Sequence, residues 1–78
     1  VNRYVVITRN SVYILERKIG TTSYKCVGRT SWYSPDVDVH SEFKADILEE
    51  PTPGEPLYFM WQGHRGASST ILSITQVM

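Results

Sequence analysis

Arg3-Tyr4-Val5-Val6-Ile7-Thr8-Arg9-Asn10-Ser11-Val12-Tyr13-Ile14-Leu15-Glu16-Arg17 is the stretch whose reading decides the fold. Tyr4 to Thr8 and Val12 to Leu15 are dense in β-branched and aromatic residues, the types that fit a pleated surface. Asn10 tolerates the left-handed backbone of a tight turn, so Arg9-Asn10 reads as a two-residue connection between two strands. In that register Thr8 faces Ser11, Ile7 faces Val12, Val6 faces Tyr13, Val5 faces Ile14 and Tyr4 faces Leu15. Arg3 then meets Glu16, an opposite-charge pair at the open end. A loop one residue longer would set Tyr4 against Glu16, which disfavours it.

Working outward, Lys18-Ile19-Gly20-Thr21-Thr22 reads as a turn. Ser23 to Val27 is a third strand, ended or bulged at Gly28. Arg29 to Asp36 reads as a loop that carries Trp32 and Tyr33, stiffened by Ser34-Pro35. From Asp36 to Leu48 the pattern has period two: Val37, Val39, Phe43, Ala45 and Ile47 share one face, and Asp38, His40, Glu42, Lys44 and Asp46 share the other. The competing description is a short helix near residues 41–50, capped by Ser41. Pro51-Thr52-Pro53-Gly54-Glu55-Pro56 is a loop. Leu57-Tyr58-Phe59-Met60-Trp61 is a continuous apolar run that reads as a strand buried on both faces. Gly63-His64-Arg65-Gly66 reads as a hairpin connection, and Thr70 to Val77 as the closing strand.

The fold class this implies is mostly β: five to six short antiparallel strands in a curled single sheet or small half-open barrel, with at most one short helix. At 78 residues the chain is one domain, 1–78. A chain this short buries only about 60% of its unfolded surface, so its stability margin is thin. The hydrophobic share of 41% and charged share of 21% are those of a globular protein. No apolar run approaches the roughly 20 residues of a membrane helix. Cys26 is the only cysteine, so no intrachain disulfide forms, and its burial as a small hydrophobe is the expectation. A lone cysteine in so small a domain points to a reducing, cytoplasmic or otherwise intracellular setting.

No catalytic signature is present: no nucleophile elbow, no phosphate-cradling glycine loop, no paired-histidine helix. The expectation is therefore a non-enzyme without cofactor. Asp36, Asp38 and His40 lie close in sequence, but Asp38 and His40 on one strand face give only two ligands, and no metal site is expected.

Net charge is zero but unevenly spread, basic up to Arg29 and acidic from Asp36 to Glu55. Trp, Tyr and Arg are the residue types enriched at interface hot spots, which singles out Arg29, Trp32 and Tyr33. His64 and Arg65 between glycines form a second candidate contact, an anion-binding tip. Both faces of the opening hairpin are apolar, more than a single-layer sheet of this size can cover alone. The function expected is a protein-binding module or accessory, inhibitory subunit, whose partner is another protein or a second copy. The alternative is a single-stranded nucleic-acid-binding barrel that uses Arg3, Arg17, Lys25 and Arg29 for phosphates, with Tyr13, Tyr24 and Trp32 for bases. The chain's neutrality counts against it. A carbohydrate platform on Trp32-Tyr33 with Asp36, or on Tyr58 and Trp61, comes third.

Overall fold

The computed structural model describes residues 1–31 and 41–77. They form six strands: β1 (Asn2–Thr8), β2 (Ser11–Arg17), β3 (Tyr24–Ser31), β4 (Ser41–Ile47), β5 (Pro56–Trp61) and β6 (His64–Gln76). Each strand pairs antiparallel with the next, and β6 returns to β1 to close a small barrel.

The β1–β2 register runs Arg3 to Glu16, Tyr4 to Leu15, Val5 to Ile14, Val6 to Tyr13 and Ile7 to Val12, as the sequence predicts. The Arg3–Glu16 ion pair forms at 2.6 Å. The turn is built differently from the expectation, because neither Arg9 nor Asn10 takes a positive φ. The buried Thr8 hydroxyl closes it instead: it accepts from the Ser11 N–H at 3.0 Å and donates to the Ser11 carbonyl at 2.8 Å. The Arg9 and Asn10 amides donate outward to the Thr70 carbonyl and the Ser69 hydroxyl, which ties the turn to β6.

β3 extends through Gly28 to Ser31, so Arg29 belongs to a strand and not to a loop. Ile14 pairs with Gly28 and Leu15 with Cys26, leaving Val27 as the extra residue of a bulge. Of the two readings of Gly28, an end or a bulge, the bulge is the one that forms, and it lets the strand continue. Residues 41–47 are strand and no described residue is helical, which removes the short helix near 41–50.

β5 departs from its reading as a doubly buried strand: Leu57 is 1% exposed, but Tyr58 is 39% and Trp61 40% exposed. The hairpin after it turns at Gln62-Gly63, with φ of 49° and 79°. Two consecutive positive φ values match the right-handed twist of a two-residue hairpin. His64 to Gly66 are therefore strand residues, and β6 is 13 residues long. It bends between its β5-paired and β1-paired halves, with register shifts against both neighbours. The shift against β1 brings both Ile71 and Ile74 to the core, although strict alternation would separate them.

The barrel interior is filled by Tyr4, Val6, Tyr13, Leu15, Tyr24, Cys26, Ala45, Leu57 and Ile71, with Phe43, Ile47, Phe59 and Ile74 packed against them. A second cluster, Val5, Val12 and Ile14 with Ile7 and Val27, occupies the opposite face of β1, β2 and β3. Val12 and Ile14 are each 1% exposed and Val5 is buried, while Ile7 and Val27 beside them stay partly exposed.

Candidate functional site

Inward-facing residues at the two open ends of the barrel meet different fates. At one end Arg17 is held by tyrosines. Its guanidinium donates to Tyr4 Oη at 2.7 Å and to Tyr24 Oη at 3.2 Å, 5.5 Å and 5.2 Å from their ring centres. Tyr24 Oη donates in turn to Glu50 at 3.3 Å. Burial, then the Glu50 carboxylate, raises the Tyr24 pKa. This end is plugged by groups that satisfy one another.

The other end carries a row of side chains from four strands. Arg29 of β3 lies over the Phe43 ring of β4 at 5.2 Å. Phe43 stacks on Trp61 of β5, with ring centres 5.6 Å apart and planes 28° apart. Trp61 pairs across the hairpin with His64 of β6, and directly opposed residues project to the same side of the sheet. Beneath them Phe59 meets Phe43 edge-on at 5.4 Å, and Tyr13 contacts both Phe43 and Phe59. Packing below and an exposed Trp61 edge above give a fixed aromatic surface flanked by two nitrogen-bearing side chains.

The structure thus brings Arg29 and His64, far apart in sequence, to the two ends of one aromatic row. Arg65 points the other way: opposite Met60, it lines an outer groove of about 460 Å³ with Leu48, Glu49 and Tyr58. Trp32 and Tyr33 lie outside the described residues, as do Asp36, Asp38 and His40.

Of the cations assigned to the nucleic-acid alternative, Arg3 pairs with Glu16, Arg17 with the two tyrosines, and Lys25 with Asp46 at 3.8 Å. Arg29 rests on Phe43. Tyr58 and Trp61, three apart on one strand, face opposite sides, so they form no common platform.

The sequence assigned Phe43 to no site, and Trp61 only to a carbohydrate platform with Tyr58. Phe43 was legible as an inward strand position, and Trp61 as the last residue before a turn. Their meeting depends on β4 and β5 being neighbours, which no local pattern encodes. Cys26 is 1% exposed and contributes no reactive thiol at the surface, since burial pushes its pKa from 9.0 up to about 11. Among the described residues no three His, Cys, Asp or Glu side chains converge as metal ligands, and no helix is long and apolar enough to cross a membrane. Comparison with known proteins finds no family model, no curated relative and no solved structure that matches the chain.

Proposed function

We propose that this chain is a non-catalytic protein-binding module that engages its partner through the barrel end formed by Arg29, Phe43, Trp61 and His64. The observation that carries the reading is the exposed Trp61 edge, held in place by stacking on Phe43 and capped through it by Arg29. An exposed aromatic anchor that is already ordered loses little side-chain entropy on binding. Trp and Arg together are the residue types that dominate binding energy at such surfaces.

The nucleic-acid alternative has less support, because each of its four cations already has a partner within the chain. Phosphate contacts would have to displace these or share them.

The test places a photo-reactive tryptophan analogue, which keeps the indole anchor, at position 61 and, as control, at Ile19, which is 74% exposed and lies in the Lys18–Thr21 turn. The expected result is a specific cross-linked protein in extracts of the source organism from position 61 and none from position 19. Trp61→Ala and Arg29→Ala should abolish competition for that adduct by unlabelled protein while leaving the melting temperature within a few degrees. If both folded variants compete as well as the parent, the surface is not the binding site.

A further inference from the structure

On the outside of the barrel, β4, β5 and β6 present two cross-strand rows. In the first, Asp46, Met60 and Arg65 stand directly opposite one another. In the second, Tyr58 stands opposite Ala67, and the Leu48 N–H donates to the Tyr58 carbonyl at 3.0 Å, which sets Leu48 on the other side of Tyr58. Directly opposed residues project to one side of a sheet. Leu48, Tyr58, Ala67 and Arg65 accordingly line one outer groove of about 460 Å³.

This face is open to solvent. Leu48 is 37% and Tyr58 39% exposed, the Asp46 side chain is 69% exposed, and Arg65 and Ala67 are exposed as well. Arg65 takes part in none of the ion pairs among the described residues. Asp46 has Lys25 at 3.8 Å, a solvent-exposed pair of the kind that contributes little.

We propose that this face docks a second copy of the chain, about a twofold axis that runs along β5 between the two facing sheets. Such an axis exchanges the β4 side with the β6 side. Asp46 then faces Arg65 of the second copy and Arg65 faces its Asp46, while Leu48 faces Ala67 and Ala67 faces Leu48. Met60 and Tyr58 meet their own copies at the centre.

Charge selects the occupant. The face carries one negative and one positive side chain on opposite flanks of an uncharged centre, so the surface it complements is its own. Charge also selects the axis. Placed along β4 it would oppose Asp46 to its own copy, and along β6 it would oppose Arg65 to its own copy. Turned across the strands through Met60 it would do both. Turned across them between the two rows it would set Asp46 on Leu48 and Arg65 on Ala67, burying each charge against apolar groups. Of these axes only the one along β5 opposes unlike charges, and it does so twice. Bulk follows the same axis. Gly66 and Ala67 line the groove with little side chain, and the larger Leu48 of the second copy is what the axis brings there. An isologous contact must be self-complementary in this way.

The contact leaves the aromatic end free, because Trp61 faces the other side of β5 from Tyr58. Sedimentation equilibrium from micromolar to near-millimolar concentration tests it. The parent should show a monomer–dimer equilibrium. Asp46→Arg and Arg65→Asp, each placing like charges opposite at both symmetry-related positions, should weaken the dimer roughly ten- to a hundred-fold. The double variant should recover it. Tyr58→Glu, which puts a charge on the axis itself, should leave only monomer. All three positions are exposed, and circular dichroism on every variant should show the parent's fold. The two single variants probe one pair from both ends, so either one that folds carries the test. A parent that stays monomeric overturns the proposal. So do single variants that dimerise like the parent, a double variant that fails to recover the dimer, or a Tyr58→Glu variant that still forms it.

Discussion

Gly66 shows how much of this barrel is set by single atoms. A Cβ built at this position would lie 2.6 Å and 2.8 Å from two carbons of the Phe59 ring. The ring covers the glycine of the opposing strand and fills the space a side chain would take, a means of stabilising glycines in sheets. Gly66→Ala is therefore expected to cost about 1–3 kcal/mol, since the ring must leave its rotamer or the strands must part. Phe59 also touches Phe43 and Tyr13, so the disturbance should reach the aromatic end. Urea denaturation of Gly66→Ala, Phe59→Leu and the double variant separates steric conflict from general strand weakening. If the conflict is the cause, the double variant is more stable than the sum of the two losses implies. Simple additivity would leave the close approach without energetic consequence.

At the scale of elements the strands differ in how firmly they are held. β1 and β2 pair along six residue pairs, and both their faces are buried. β4 and β5 share two pairs, and none of the four residues in them is fully buried. The main-chain amides of Glu42 and Lys44 should therefore exchange with deuterium much faster than those of Val6 or Leu15. Phe43 and Ala45, whose amides face β3, should be slower than their neighbours, giving an alternating pattern along β4. Uniform protection through β4 would mean that the β5-side edge is covered in the monomer. The same contrast explains what the sequence discloses. The first hairpin was legible to the residue because its period, turn length and terminal charge pair agree. The extent of β3 was not, because a glycine inside a strand fits an end as well as a bulge, and only the pairing with β2 decides for the bulge at Val27. The start of β6 was not either, because Gln62 takes a positive φ that Gly66 seemed better suited to supply. At the site, Arg29 and His64 were legible as residue types, whereas the Phe43–Trp61 stack that joins them is a product of sheet closure.

For the molecule as a whole, one barrel end is plugged by Arg17 and its tyrosines while the other presents aromatic surface, and Cys26 sits in the core between them. That buried thiol ties global stability to alkaline pH. In the unfolded chain Cys26 ionises around 9.0, whereas burial holds the folded thiol neutral up to about 11. Between those values the folded state binds more protons than the unfolded state, so stability falls as pH rises. Below that window both states carry the neutral thiol and the contribution is constant. A shift of about two units corresponds to a loss of roughly 2–3 kcal/mol across the window, a large part of the margin of so small a domain. Tyr24, whose pKa is also raised, adds to the loss in the same direction at the upper end. Removing the thiol separates its share from that of lysines and tyrosines that titrate in any variant. Cys26→Ala should be less stable than the parent at neutral pH, because it leaves a small cavity beside Leu15 and Ala45. Its urea midpoint should then fall less steeply through the alkaline window, so that the gap between the two proteins narrows and closes. A parallel decline would place the titrating group elsewhere, and rapid labelling of native Cys26 by a thiol reagent at neutral pH would show that the thiol is not held neutral in the core.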